Sequence, residues 1–287
     1  MYRTAAPVPE TTRRARLARS PLGVARVVHR KFDGGDRRID DEFSQRHFAD
    51  LTRGYGVAVR PEVLVAGTTF TAMAQNLVAE LDLGADQVDL ALVAHSTPDL
   101  DCRLSAATYL SEELTNGPLV FALSDSGTCA PFTALELAGD YARRHGYQRA
   151  LVLVLDQSTL PYEVEGSAPR GNAGVAVLLE AGGSTGLSIG HEVGVRAADL
   201  PGAVDAALGS LLGPDSSATV VVGAGIDPDL VRHSGPVLVA EAGYPCTAAW
   251  SLLAAHGVDA DADADLVVLI DYDPSTGDLG YCAVGGP

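Results

Sequence analysis

Short unbroken apolar runs alternate along this chain with longer stretches whose apolar residues recur at helical spacing. The pattern predicts a buried strand within Val88–Asp99 that ends in a turn, a helix over Ser105–Glu113 and a second apolar strand over Pro118–Leu123. A helix follows, carrying Ala130, Ala134, Leu135, Leu137 and Ala138, and then strands over Gln148–Asp156 and Arg170–Glu180. Upstream, Ser20–Lys31 reads as a strand, and Asp40–Tyr55 and Met73–Leu83 read as helices, with Met1–Ser20 a loosely packed leader. Near the other end, the acidic alternation Asp259–Asp265 reads as a linker. It precedes a last hairpin, whose turn is supplied by Asp273-Pro274-Ser275-Thr276-Gly277-Asp278.

The strand-helix-strand order occurs twice. Val88–Asp99 matches Thr219–Asp229, the helix after Cys129 matches Gly243–Ala254, and Ala150–Asp156 matches Asp265–Asp271. The offsets, 117 residues from Cys129 to Cys246 and 115 from Ala150 to Asp265, are nearly equal. Two similar α/β halves that cannot each bury a sheet alone call for a duplicated fold, divided here at 1–182 and 183–287.

Composition narrows the classes. A chain of 287 residues, 47% of them hydrophobic, can build a substantial α/β core. No apolar run is long enough for a membrane span and the start lacks a signal-peptide core, so the expectation is a soluble, cytoplasmic protein without a membrane partner. The four cysteines, Cys102, Cys129, Cys246 and Cys282, show neither a CxxC pair nor zinc spacing, which predicts reduced thiols and no metal. No phosphate-cradling glycine loop is present, so no cofactor is expected. Residues 1–60 hold 13 basic and seven acidic residues, formally +6, which leaves −23 of the total −17 on the remainder. An acidic body argues against nucleic acid, and it would repel an acidic carrier protein unless a basic patch such as Arg143, Arg144 and Arg149 intervenes.

The most informative stretch is Ser124-Asp125-Ser126-Gly127-Thr128-Cys129-Ala130-Pro131-Phe132. Small turn-forming residues lead into an apolar helix, which places the sulfur at a helix N-terminus. There the unpaired N–H groups and the macrodipole favour an anion, lower a thiol pKa and make an acyl nucleophile. The same residue also fits a structural role, as a small apolar side chain filling a helix start.

Taken with its neighbours, the cysteine motif resembles the thiolase superfamily, most closely its β-ketoacyl-acyl-carrier-protein synthase III branch. Ala94-His95-Ser96-Thr97-Pro98-Asp99, the Cys129 elbow and Gly171-Asn172-Ala173-Gly174-Val175-Ala176-Val177-Leu178 follow the order of that family's motifs. The match is good over roughly residues 70–180 and looser over 215–287. The resemblance implies an α/β fold of five layers, αβαβα, with two pseudo-symmetric halves. It also implies a dimer, homomeric or with a ketosynthase-like chain, and an acyl-carrier-protein or coenzyme A thioester as substrate. In that family a histidine and an asparagine complete the site. Here the histidine position falls near Gly223-Ala224-Gly225-Ile226 and the asparagine position holds Tyr244. Without two such donors, malonyl condensation of the ordinary kind is excluded.

Candidate site residues are therefore Cys129 as nucleophile, Tyr244 as a possible oxyanion donor and His95 at the end of the strand before the site. Cys246 mirrors Cys129 and is expected to pack. Cys102 lies where the family contributes a loop to the partner's pocket. The function implied is an atypical acyltransferase that loads Cys129 from a thioester and passes the acyl group to an acceptor, in secondary metabolism of polyketide or fatty-acyl type. The alternative is a non-catalytic, chain-length-factor-like subunit of a heterodimeric condensing enzyme.

Overall fold

The computed structural model describes residues 17–35, 37–83, 87–124, 126–162, 168–183, 185–213, 216–256 and 266–285. The leader before residue 17 and the acidic linker at 257–265 lie outside the described residues, as does Asp125. After β1 (Ala18–Arg19) and β2 (Leu22–Phe32) come α1 (Glu42–Arg53) and α2 (Phe70–Leu81). Asp41 caps α1 by accepting from Ser44 N, and Thr69 caps α2 by accepting from Ala72 N. That threonine starts α2 three residues earlier than the apolar spacing alone suggests. Next are β3 (Leu90–His95), α3 (Ala106–Glu113) capped by Ser105, β4 (Leu119–Leu123), α4 (Ala130–His145) and β5 (Arg149–Asp156). Gly146, at φ +72°, ends α4 in a left-handed cap whose N–H reaches Ala142 O at 2.8 Å.

The chain continues through β6 (Asn172–Ala181), β7 (Leu187–Glu192), α5 (Leu200–Leu211), β8 (Thr219–Val222), β9 (Val237–Val239), α6 (Ala248–His256), β10 (Val267–Asp273) and β11 (Asp278–Val284). One sheet runs β2-β6-β5-β3-β4 and the other β1-β7-β11-β10-β8-β9. In each, a parallel trio (β5-β3-β4, β10-β8-β9) joins an antiparallel pair, so β5 corresponds to β10 and β3 to β8. β1 pairs with β7, which brings a strand from the start of the described chain into the second sheet.

Alternation along the strands sorts their side chains into layers. Leu92, Ala94, Val152 and Val154 from one sheet, with Val221, Val267 and Leu269 from the other, pack on Phe132 and Leu135 of α4 and Trp250 and Leu253 of α6. The Phe132 and Trp250 rings meet at 5.2 Å. On the outer face of the first sheet, Ala91, Val93, Leu151 and Leu153 pack on Met73 and Leu77 of α2 and Leu110 of α3. On the outer face of the second, Val220, Ile270 and Tyr272 pack on Val204 and Leu208 of α5. The result is five layers, αβαβα, with two pseudo-symmetric halves, as the resemblance implied.

The two halves exchange helix caps. At the end of β5, the fully buried Asp156 accepts from Cys246 N at 3.1 Å, Thr247 N at 2.8 Å and the Thr247 hydroxyl at 2.7 Å, all at the start of α6. At the end of β10, Asp273 accepts from Thr128 N at 2.9 Å, in the lead-in to α4, so the structural counterpart of Asp156 is Asp273 and not Asp271, two residues beyond the match read from the sequence. Removing Asp156 strands those donors in the interior. Asp156→Ala is expected to cost about 3 kcal/mol, and Asp156→Asn less, because its amide oxygen still accepts. Urea unfolding at neutral pH checks this, with an unchanged midpoint in Asp156→Ala as the contrary outcome.

Candidate active site

Cys129 closes a single 3₁₀ turn, Gly127–Cys129, and takes the N-cap position of α4, with Pro131 in the first helical turn. Gly127 has φ +52°, and a Cβ there would lie 1.7 Å from Asp273 Oδ2, so only glycine lets the Asp273 cap approach. The sulfur is 0% exposed. It donates to Asp278 O at 3.2 Å and stands 3.6 Å from Asp271 O.

The helix-start placement holds, but the expected lowering of the thiol pKa does not. Burial, followed by the carboxylates of Asp271 and Asp278, pushes Cys129 well above the ordinary thiol value. The Gly280 N–H and the Thr128 hydroxyl pull the other way and are outweighed. Cys129 N is spent on Ser126 O at 2.9 Å. The resting group is therefore a neutral thiol that donates to a carbonyl.

Beside it lies a residue that the sequence reading passed over. Asp271 shares the inward face of β10 with Leu269 and Asp273, and its Oδ1 accepts from Tyr272 N at 2.8 Å and Gly225 N at 3.2 Å. A Cβ on Gly223 would fall 1.9 Å from Asp271 Cγ. The Asp271 carboxyl thus fills the space that a side chain at Gly223 would need, which is the region where the resemblance looks for a histidine. Burial raises its pKa to about 7. Cys246 mirrors Cys129 as expected. It is buried, 3.6 Å from Gly127 O, and its thiol is likewise pushed up, first by burial and then by Asp156.

Among the described residues no hydrogen bond joins His95 or Tyr244 to the sulfur, although Tyr244 packs against the inner cluster that holds Cys129. Ala94 faces the inner layer, so His95 faces outward, its ring 5.0 Å from Phe70 and its Nδ1 2.7 Å from Thr97 O. Burial lowers its pKa, which leaves it neutral. Tyr244 turns toward the first sheet. The Lys31 ammonium lies 4.7 Å from its ring centre, and a Cβ on Gly171 would be 2.6 Å from its hydroxyl. Cys102 sits near the Ser44 hydroxyl at 3.8 Å, and Cys282 packs in the inner layer. Of the three arginines expected to form a docking patch, Arg149 pairs with Glu180 at 2.6 Å and Arg143 with Asp140. A cleft of about 310 Å³ lies elsewhere, at the end of β2 beside Lys31, Asp33, Thr68 and Asn76. Among the described residues, no group of histidines, cysteines and carboxylates could hold a metal, and no helix is long and apolar enough to cross a membrane.

Neither a protein-family model nor a curated protein sequence matches the chain. Solved structures do. A 3-oxoacyl-(acyl-carrier-protein) synthase from Burkholderia xenovorans LB400 superposes with a TM-score of 0.60 at 16% identity, covering 94% of this chain and 96% of its own. The chain has a ketosynthase III-like thiolase fold. The tetronic acid condensing enzyme AbyA1 gives a TM-score of 0.62 at 12% identity, covering 92% of this chain and all of its own. OleA of Xanthomonas campestris, in a variant with bound lauric acid and lauroyl-coenzyme A, gives 0.56 at 13%, covering 92% and 99%.

Among the described residues, burial raises three carboxyls: Asp99 and Asp156 to about 6 and Asp271 to about 7. A carboxyl whose folded pKa lies above its unfolded value stabilises fully below the unfolded value, and that stability is lost as pH rises through the folded one. Asp101, held low by Arg103 and Arg37 against its own burial, works oppositely and only toward acid. The urea midpoint is therefore expected to fall between about pH 5 and pH 8, and Asp271→Val to flatten its upper part. A midpoint that rises over that range contradicts these environments.

Proposed function

We propose that the chain is an acyltransferase of the ketosynthase III-like kind, acting on thioesters. Cys129 takes an acyl group from an acyl-carrier-protein or coenzyme A thioester and passes it to an acceptor, in a pathway yielding polyketide or fatty-acyl-derived products. The observation that carries this reading is the setting of the sulfur. It lies between the two sheets at the start of α4, with the Gly280 N–H acting on it and the buried carboxyl of Asp271 raising its pKa. A titratable group held inside the molecule against its solvation, beside a cysteine at a helix start, marks a candidate chemical site. The names of the solved structures fit the same substrate class, since they include an acyl-carrier-protein synthase, a condensing enzyme and a complex with lauroyl-coenzyme A.

A second reading, a non-catalytic companion subunit in a condensing enzyme, draws on three observations. The sulfur has no exposed surface, Gly223 has no side chain, and Tyr244 faces Lys31 instead of Cys129. Either reading expects a dimer. β4 is an edge strand made wholly of apolar residues, with Leu119 40% exposed, and such an edge invites a second ketosynthase-like chain.

Intact-protein mass spectrometry separates the two. After incubation with acetyl- and lauroyl-coenzyme A and the matching acyl-carrier thioesters, the acyltransferase reading expects a single acyl adduct that is lost in Cys129→Ser. No adduct, with co-purification of a second ketosynthase-like chain, decides for the companion subunit.

A further inference from the structure

We propose that Asp271, whose carboxyl fills the space beside Gly223, is the proton acceptor for Cys129. The inference rests on the acyltransferase reading above. Its basis is a difference between the halves. The strand ladders align Val154 of β5 with Asp271 of β10, just as they align Asp156 with Asp273. Asp156 and Asp273 each cap the opposing helix start, so their burial is accounted for by the fold. Asp271 caps no helix. Its mirror position shows that valine fills the same layer, and both hydrogen bonds recorded for its carboxylate, from Tyr272 N and Gly225 N, fall on one oxygen, Oδ1. A carboxyl kept where an apolar residue would serve costs several kcal/mol of solvation, which points to a use beyond packing.

The surroundings suit that use. The loss of any side chain at Gly223 makes the space that Asp271 occupies, and the carboxyl faces the layer containing Sγ. The Asp271 carboxylate raises the Cys129 thiol, and Sγ, which donates to Asp278 O, lies 3.6 Å from the Asp271 main-chain oxygen. The ionisable groups around it are Asp273 on its own strand, Asp278 on β11, and Cys129 and Cys246 at the two helix starts. None is a cation, so a negative Asp271 favours a neutral Cys129, and proton removal must accompany attack. In the step, the Cys129 S–H proton passes to the Asp271 carboxylate as sulfur bonds to the acyl carbon. The donor's C–S bond breaks, and the departing thiolate takes the proton back, leaving the acyl-cysteine and a free thiol. With a titration midpoint near 7, the group can both accept and return that proton at neutral pH.

The test is the rate of Cys129 acylation by S-acetyl-N-acetylcysteamine across pH, followed by intact mass in the unaltered chain and in Asp271→Asn. The unaltered chain is expected to acylate faster as pH rises through about 7 and then to level off. Asp271→Asn should lose the inflection and slow by about 100-fold near pH 7.5. Asp271→Val, which gives β10 the side chain of Val154, is a second variant without the acceptor and answers for any folding defect in the first. Equal rates and pH profiles with and without the carboxyl overturn the Asp271 assignment while leaving the acyltransferase reading intact. No adduct on the unaltered chain overturns both.

Discussion

Two buried carboxylates, each lent by one half of the molecule to a helix start of the other, hold this fold together at its centre. Asp156 binds the first residues leading into α6, and Asp273 binds the turn leading into α4. A carboxylate in the interior is costly, and so is a set of unpaired N–H groups at a helix start. Pairing them across the pseudo-twofold axis satisfies the N–H groups and offsets part of the cost of burying the carboxylates, which for Asp156 still leaves the pKa raised to about 6. It also fixes where Cys129 and Cys246 stand, because each follows directly from a capped turn. The glycine at 127, closed against Asp273, is the local consequence of that approach.

Magnitudes explain why the cysteine at a helix start is not a ready thiolate. A helix terminus stabilises a charge by about 0.3–1 kcal/mol, whereas removing a charge from water costs several. With Asp271 and Asp278 adding like charge, burial prevails and the thiol stays protonated. The chemistry open to such a group is attack coupled to proton loss, and that is why a nearby acceptor matters more here than the helix does.

Much of the architecture was legible in the chain. The duplicated strand-helix-strand order, read from Val88–Asp156 and its partner at 219–271, reappears as two sheets around α4 and α6. What escaped notice has physical causes. α5 carries Pro201, Gly202 and Gly209, which dilute helical signal; β7 interrupts its apolar pattern with Ser188, Gly190 and His191; β9 is three residues long and lies at an edge. The site was less legible than the fold. His95 ends the strand before the site, but strand alternation sends it to the other face, toward Phe70. The match of Ala150–Asp156 to Asp265–Asp271 makes Asp271 only a strand end before the last turn. The same alternation, counted from Val267 and Leu269, would have put it among the inward positions.

The central claim is that Cys129 rests as a buried neutral thiol and not as a helix-activated thiolate. Iodoacetamide labelling of Cys129 in Asp271→Val, which has no carboxyl to assist attack, measures this directly when followed at peptide level across pH. The account predicts slow labelling that is still climbing above about pH 9, beyond the range of a free cysteine. A labelling rate that has already reached its plateau by about pH 7 would contradict it.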